Sequence, residues 1–158
     1  MKTAEENKGT TKTAQVQFVA FQIGKEKYGI NIQQTRGIIK EFSITNVPNT
    51  EDFVMGVINL RGQIVPVIDL HDRFQFKEPP PEKNRRIITV KVRESLIGLL
   101  VDRVNEVVRI NLGNIEPAPE VSDGIEQKYL EGIARVNNEL LMLINLDKLL
   151  FAGKDTEK

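Results

Sequence analysis

An internal repeat constrains the fold of this 158-residue chain more than any other feature of its sequence. Two blocks of alternating apolar residues follow each other in the same order on either side of a proline-rich joint. The matched segments are Tyr28-Gly29-Ile30 with Ile97-Gly98-Leu99, at an offset of 69 residues, and Gly56-Val57 with Gly132-Ile133, at an offset of 76. The change of offset implies a seven-residue insertion between Leu112 and Lys128. Two matched blocks in one order indicate a duplicated unit.

Each copy is predicted to contain about five short strands and one closing helix. Its apolar residues alternate with a period of two, and polar or glycine-containing turns separate the runs, which is typical of β-hairpins. A small open sheet exposes edges that pair with other chains, so closure into a barrel is favoured. The sequence therefore predicts an all-β fold of two small barrels in tandem, with short helices at His71–Phe74 and Asp147–Phe151. Asn145 is the expected N-cap of the second helix.

Domain boundaries follow from composition. Residues 77–84 contain three consecutive prolines, which favour a stiff, extended linker. One barrel is therefore expected at about 15–76 and the other at about 85–151, packed together as a single domain. Residues 1–14 are polar and lack periodicity, which predicts a disordered tail, and 152–158 are expected to form a second tail.

The hairpin within residues 53–70 is apolar at nearly every position, which predicts burial on both of its faces. Pro66 cannot donate to a β-ladder and is expected at an edge or a bulge. Thr50-Glu51-Asp52 resembles a helix start. The expected core residues of this hairpin are Val57, Ile58, Leu60, Ile64, Val65, Val67 and Ile68.

Composition argues against several functions. Basic and acidic residues each number 22, so the formal net charge is zero, whereas a protein that grips nucleic acid needs a basic excess. Nine aromatic residues are few for a base-stacking platform. The chain has no cysteine and a single histidine, His71, so neither a thiolate metal site nor a histidine cluster can form within it. Without a signal peptide or membrane-length apolar run, a soluble, cytoplasmic protein with no metal and no cofactor is expected.

Few residues could carry catalysis. Phosphate-loop, dinucleotide-binding and nucleophile-turn motifs do not occur in the sequence. Asp69 ends an apolar run and lies two residues before His71, so this pair could serve a hydrolytic or small-ligand-binding double barrel. The structural alternative is that such carboxylates cap turns or pair with arginines, and that the histidine is structural. Asp102, Asp123 and Asp147 are the other candidate carboxylates.

Arg61-Gly62 forms the tip of the most apolar hairpin. A tight turn has a use for glycine at this position, but it does not need arginine. Arginine presents five donors in a rigid fork that suits a carboxylate or an interface contact. The pattern leaves two interpretations open, a solvated turn residue or a partner contact.

The run from Gly56 to Leu70, G-V-I-N-L-R-G-Q-I-V-P-V-I-D-L, resembles the signature of the CheW family of bacterial chemotaxis coupling proteins. The resemblance covers about residues 15–151. Further similar segments follow in the family's order: Tyr28-Gly29-Ile30 with Ile38, Val47-Pro48, Gly98 to Val104, Tyr129 to Gly132, and Leu141 to Leu150.

This resemblance implies two SH3-like five-stranded barrels and an adaptor without enzymatic activity. Its implied partners are the regulatory domain of the histidine kinase CheA and the cytoplasmic tips of methyl-accepting chemoreceptors. The resemblance also implies a free-standing adaptor that is monomeric in isolation and ring-forming in arrays. Such an adaptor lies at the membrane periphery through those arrays, with no direct membrane insertion and no nucleic-acid partner.

The resemblance further implies where partners bind. An apolar groove between the barrels would receive the receptor's helical hairpin, which is an established recognition mode. Many relatives have an apolar residue at the position of Thr35 and an acidic one at Gly37. Kinase contacts are expected at the exposed apolar ends of both barrels. The implied groove residues are Ile32, Thr35, Ile38, Val101 and Val104, and the implied partner interface contains Arg61 and Gly62. Considered without the resemblance, these groove residues are better explained as internal core at the barrel junction.

Overall fold

Ten β-strands and two α-helices make up the part of the chain that the structure describes. This computed structural model describes residues 14–47, 53–119 and 127–156. The strands are β1 Gln15–Ile23, β2 Glu26–Asn31, β3 Thr35–Ile39, β4 Val54–Leu60, β5 Gln63–Asp69, β6 Arg86–Val92, β7 Ser95–Val101, β8 Arg103–Asn111, β9 Leu130–Val136 and β10 Glu139–Ile144. The helices are α1 Leu70–Arg73 and α2 Leu146–Thr156, and single 3-10 turns occupy Ile32–Gln34, Leu112–Asn114 and Gln127–Tyr129. The all-β prediction with short helices is confirmed.

Two-residue turns connect the strands of the hairpins. Three of these turns have positive φ angles at both central residues, as a mirror-image type I′ turn requires. Such turns match the right-handed twist of the strands that they join. They are Arg61-Gly62 between β4 and β5, Arg93-Glu94 between β6 and β7, and Asn137-Asn138 between β9 and β10.

The two five-stranded sheets do not correspond to the two halves of the sequence. One sheet has the order β3-β6-β7-β5-β4 and the other the order β8-β1-β2-β10-β9. We call the first the central barrel, residues 35–101, and the second the terminal barrel, because its strands come from both ends of the domain. This topology corrects the predicted barrels at about 15–76 and 85–151. Each repeat contributes its first hairpin to the barrel that the other repeat completes.

A parallel strand pair in each barrel produces this exchange. In the terminal barrel β10 pairs with β2, with Leu143 opposite Gly29, and in the central barrel β5 pairs with β7, with Val67 opposite Gly98. The offsets of 76 and 69 residues convert one pair into the other. The two sheets have the same strand order once each strand is replaced by its repeat equivalent, so that β3-β6-β7-β5-β4 becomes β8-β1-β2-β10-β9. The internal repeat is therefore a structural pseudo-symmetry. These pairs join segments that lie far apart in sequence, which is why local patterns did not reveal them.

Each barrel closes through a short bridge between a loop and its last hairpin. In the central barrel, Thr45 and Val57 exchange two backbone hydrogen bonds of 2.9 Å, and a Cβ on Gly56 would lie 2.3 Å from the Thr45 carbonyl oxygen. The terminal barrel repeats this arrangement with Glu116 and Ile133, beside Gly132. Glycine is therefore required at both positions by the close approach of two backbones.

The largest apolar cluster lies between the barrels. It contains seventeen buried residues from both sheets and both helices, including Tyr28, Leu70 and Leu146, whereas the interiors of the terminal and central barrels contain six and five. Phe21, Tyr28 and Phe74 form an aromatic row within it, with ring centroids 5.9 and 5.1 Å apart. Because most of the buried apolar surface is shared, we expect the two barrels to fold together.

The hairpin of β4 and β5 departs from the prediction of burial on both faces. Ile58, Val65 and Val67 are buried, but Ile64 is 60% exposed because alternation turns it away from the barrel interior. Pro66 lies in an interior strand, not at an edge. It is tolerated because the pairing of β5 with β7 begins only at Val67.

The remaining predictions concern helices and chain ends. α1 and α2 occur where helices were predicted, and Asn145 Oδ1 accepts the Lys148 amide at 3.0 Å. α2 continues to Thr156, into the segment that was expected to be a tail. The predicted helix start at 50–52, Pro48, Asp123 and nearly all of the predicted tail 1–14 lie outside the described residues. Within the described ranges, no helix has the length and apolar character needed to cross a membrane.

Candidate functional site

Exposed apolar residues on the strands occur in pairs that the internal repeat relates. Ile38 on β3 and Val107 on β8 are 47% and 49% exposed, and they are separated by the offset of 69. Ile64 on β5 and Leu140 on β10 are 60% and 45% exposed, and they are separated by the offset of 76. Each barrel therefore presents two large apolar side chains at corresponding positions. Because the same positions are exposed in both barrels, this exposure differs from the single apolar residues that occur by chance on any protein surface.

The central barrel carries an open groove beside the Arg61 turn. The groove encloses about 590 Å³ and combines apolar side chains with three cationic ones. Among its cations, Lys91 is paired with Glu94 at 3.5 Å, whereas Arg36 donates to the Gln33 carbonyl oxygen at 2.7 Å. Its lining residues include Arg36, Ile38, Leu60, Arg61, Lys91 and Leu96.

The terminal barrel has a smaller recess at the corresponding place. Its lining residues Glu106, Asn137 and Glu139 occupy the repeat positions of Gly37, Arg61 and Gln63. The recess encloses only about 40 Å³, and Lys27 forms an ion pair with Glu139 there. The two recesses thus lie at repeat-related positions but differ in volume and in charge, since one is mainly cationic and the other mainly acidic.

Arg61 adopts a backbone conformation that arginine rarely takes. Its φ angle is 55°, in the left-handed region where an L-residue other than Asn, Asp or Gly is disfavoured. Asn59 Oδ1 holds the turn by accepting the Gly62 amide at 2.9 Å. At the repeat-equivalent position the chain has Asn137, a residue that suits this region. The turn would therefore be easier to form without arginine, and the structure gives the exposed Arg61 guanidinium no ion-pair partner among the described residues.

The residues implied as a receptor groove have different degrees of exposure. Ile32 and Val104 are partly buried and pack against the cluster between the barrels, and Ile38 is exposed. Thr35 is partly buried, with its Oγ1 3.4 Å from the Asn31 carbonyl oxygen. Val101 is fully buried in the same cluster. Val101 is therefore a core residue, whereas the other four retain exposed surface. Ile38 lies in the groove that also contains Arg61, and Ile32 and Val104 lie at the cluster between the barrels.

Buried charges surround the histidine at the barrel junction. His71 Nδ1 lies 2.9 Å from Asp102 Oδ2, and that oxygen also accepts the Gly24 amide of the other barrel at 2.8 Å. Arg85 donates to Asp69 Oδ1 at 2.9 Å. The network joins the end of β7 to the β1–β2 turn and so fixes one barrel against the other.

This geometry does not support acid–base chemistry by Asp69 and His71. Asp69 Oδ1 accepts the His71 backbone amide at 3.0 Å as a helix cap, while the His71 ring contacts Asp102 and the Glu78 carbonyl oxygen. Both ring nitrogens are therefore engaged, and neither is left to exchange a proton with a substrate. Among the residues described, no group of histidine, aspartate and glutamate side chains could hold a metal ion.

Sequence reasoning missed two long-range contacts at the junction. The first is the contact of the His71 ring with the Asp102 carboxylate, which joins residues 31 apart. The second contact places the Arg73 guanidinium between Phe53, at 4.4 Å from the ring centroid, and Tyr129, at 5.0 Å. Phe53 and Tyr129 are related by the repeat offset of 76, and this relation was the one available signal that they could meet.

Paired, repeat-related exposed apolar residues on two exchanged β-barrels are typical of a protein-binding module. A family model described as the CheW-like domain matches residues 17–153. The chain belongs to the CheW-like family, and the recognition from its signature run is confirmed.

Relatives from distant bacteria support the assignment. The chain is 32% identical over 148 residues to the chemotaxis protein CheW of Treponema pallidum, which covers 91% of this chain and 86% of that protein. It is 35% identical over 134 residues to the chemotaxis protein CheW of Klebsiella aerogenes, covering 85% and 81%. A crystal structure of the scaffolding protein TtCheW from Thermoanaerobacter tengcongensis matches with a TM-score of 0.78 and 40% identity, covering 85% of this chain and 86% of that one. The similarity is consistent with two SH3-like barrels.

Proposed function

We propose that this chain is a non-enzymatic chemotaxis adaptor that couples the cytoplasmic tips of chemoreceptors to the histidine kinase CheA. The observation that carries the proposal is the repeat-related set of exposed apolar residues on the two barrels. An adaptor must hold two different partners at once, and the apolar surface beside the barrel junction and the differently charged barrel ends offer separate places for them. The CheW-like family model and the relatives named chemotaxis protein CheW support a role for this binding in chemotaxis signalling.

The receptor tip is assigned to the apolar surface beside the barrel junction. Ile32 and Val104 pack against the shared cluster while retaining exposed surface, and Ile38 adds an exposed apolar side chain. A helical hairpin presents an apolar stripe of this kind, and a groove that receives a helix buries such stripes. Thr35 would contribute a hydroxyl instead of the apolar residue that many relatives have.

The regulatory domain of the kinase is assigned to the barrel ends. Ile64 and Leu140 are the exposed apolar residues at the two hairpins concerned, and Arg61 adds a donor fork beside the first. Opposite charge at the two ends allows head-to-tail contacts with a similarly built partner domain, and repetition of such contacts closes a ring. The proposed location is the cytoplasm, at the membrane through receptor arrays, with the isolated chain monomeric.

Chemical-shift mapping with each partner tests the proposal. A receptor-tip fragment is expected to shift the amide signals of Ile32, Ile38 and Val104, and the regulatory domain those of Ile64 and Leu140. Ile64→Ser is expected to weaken kinase binding at least tenfold, because an apolar contact of this size contributes more than about 1.4 kcal/mol. Its effect on receptor binding should be small.

The matched control is Glu41→Gln, which removes an exposed charge from the central barrel, outside the groove that contains Arg61, without removing apolar surface. It should leave both affinities within about twofold, since exposed charges contribute little. A folded protein that binds neither the receptor fragment nor the regulatory domain would overturn the proposed function.

A further inference from the structure

Four ionisable side chains are buried together where the proline linker, residues 77–84, crosses the barrel junction. They come from four separate segments: the end of β5, helix α1, the residue before β6 and the residue after β7. Their side chains are 14%, 6%, 17% and 7% exposed for Asp69, His71, Arg85 and Asp102 respectively. Charges this deeply buried are stable only when they are paired and hydrogen-bonded.

The histidine ring contacts an acceptor at each nitrogen. Nδ1 lies 2.9 Å and 3.2 Å from the two carboxylate oxygens of Asp102. Nε2 lies 2.5 Å from the backbone carbonyl oxygen of Glu78, in the linker. A carboxylate and a carbonyl only accept hydrogen bonds, so the ring must supply a proton on both sides. With Asp102 ionised, both contacts can be hydrogen bonds only when each ring nitrogen of His71 carries a proton.

The balance of charge leads to the same assignment. Arg85 Nη2 is 2.9 Å from Asp69 Oδ1 and 3.6 Å from Asp102 Oδ1, so one guanidinium faces two carboxylates. An imidazolium at His71 makes the buried group neutral, whereas a neutral ring leaves a net negative charge in it. The surrounding cavity, of about 340 Å³, is otherwise faced by charged groups at Lys25 in the β1–β2 turn, Arg103 on β8, and Glu78 and Lys83 in the linker.

We propose that His71 is a proton-operated latch for the proline linker. Loss of one ring proton leaves a single N–H group, which cannot serve both acceptors. The remaining N–H group stays hydrogen-bonded to Asp102, because a hydrogen bond to a carboxylate is stronger than one to a neutral carbonyl. The Glu78 carbonyl then loses its donor, and the linker separates from the junction. Acidification docks the linker, and alkalinisation releases it.

The surroundings of the ring favour a localised release. Phe76 covers the His71 ring at 5.5 Å and also contacts the β1–β2 turn, where a Cβ on Gly24 would lie 2.7 Å from the Phe76 ring. The Gly24 amide is bonded to Asp102, which keeps its contact with His71 in either state. The barrels therefore stay joined while the linker moves, and the latch acts on the cavity that the linker covers.

Nuclear magnetic resonance of the whole chain tests the latch, because His71 is the single histidine. At low pH both ring nitrogens should show the shifts of protonated nitrogens. As pH rises, loss of one ring proton should coincide with changes in the amide signals of Glu78 and Lys83, while the Gly24 amide keeps its hydrogen-bonded shift. Linker signals that do not follow the ring, or a ring with one proton at all pH values, would overturn the proposal.

Proteolysis of the linker gives a second readout. At pH 6, trypsin should cut after Lys77 or Lys83 at least tenfold faster in His71→Gln than in the wild type, because hydrogen bonds from charged donors contribute about one tenfold factor or more. Glu139→Gln, which breaks the exposed pair with Lys27, is the control and should be cut at the wild-type rate. Equal rates for His71→Gln and wild type would contradict the latch. If His71→Gln does not fold, the titration of the wild-type chain decides alone.

Discussion

Arg61 allows stability and binding to be separated by one substitution. Its φ angle of 55° lies in the left-handed region, which costs an ordinary L-residue roughly 1–2 kcal/mol, whereas asparagine adopts it readily. Arg61→Asn keeps the turn and its Asn59–Gly62 hydrogen bond. We expect the variant to be more stable by about 1 kcal/mol, which raises Tm by about 2–4 °C for a chain of this size.

Binding should change in the opposite direction. Arginine at an interface contributes through its planar donor fork, and truncating such a residue commonly costs more than about 1.4 kcal/mol, a tenfold loss of affinity. Isothermal titration of Arg61→Asn with the kinase regulatory domain and with the receptor-tip fragment would measure this loss. Thermal unfolding followed by circular dichroism would measure the gain in stability on the same sample.

The repeat supplies a matched control in the other barrel. Asn137 has a φ angle of 53° at the equivalent turn position, so Asn137→Arg should lower Tm by about as much as Arg61→Asn raises it, about 2–4 °C. This reverse exchange should not create binding of the kind that Arg61 provides. The reasoning is refuted if Arg61→Asn lowers Tm, or if it raises Tm and leaves both affinities unchanged.

Three further outcomes can be measured. Gly56→Ala should destabilise the chain by about 3 kcal/mol or more in urea unfolding, because its Cβ would meet the Thr45 carbonyl oxygen and break the closing bridge. The control is Gly113→Ala, which has open space around it and should be neutral or slightly stabilising. A similar loss of stability in both variants would contradict the steric argument. Desolvation by burial raises the pKa of the Glu131 carboxyl above 4.5. The contribution of Glu131 to the free energy of unfolding is therefore favourable below about pH 4.5 and is lost as pH rises through the folded-state pKa. Glu131→Gln should flatten this part of the curve of unfolding free energy against pH, and an unchanged curve would refute the prediction. Asn145→Ala should lower stability by about 1 kcal/mol through loss of the cap on Lys148, with thermal unfolding as the measurement and an unchanged Tm as the contrary result.

Alternation and turn residues were enough to predict the strands. The apolar period of two located the hairpins, and the offset of 76 matched Gly56 with Gly132. The structure then showed that a loop backbone approaches each of these glycines closely. The prediction of burial was less complete. Ile64 is as apolar as Val65, but alternation directs it outward, and a run that is apolar at every position conceals which face points inward.

The sequence predicted the candidate site unevenly. Arg61 was singled out because a tight turn does not need arginine, and its role at a partner interface stays a prediction; its left-handed backbone is shared by Arg93 at the β6–β7 turn. The groove residues came from the family resemblance, which did not distinguish Val101, fully buried, from Ile38, half exposed. The contacts of His71 with Asp102 and Glu78 had no sequence signal, because they depend on where the linker crosses the junction.

By itself, the sequence determined the strands, the turns between them, the duplication and the family, because hydrophobic alternation, turn chemistry and a long signature run are local properties of the chain. Only the tertiary structure decided which hairpin completes which barrel. That choice depends on two parallel strand pairs, β2 with β10 and β5 with β7, the first of them between strands more than 100 residues apart. Hydrophobic alternation and turn residues are compatible with either hairpin in either barrel, so they do not decide the pairing. The shared apolar cluster between the barrels stabilises the exchanged arrangement, because it combines buried residues of β1, β2 and β10 from one barrel with those of β6 and β7 from the other.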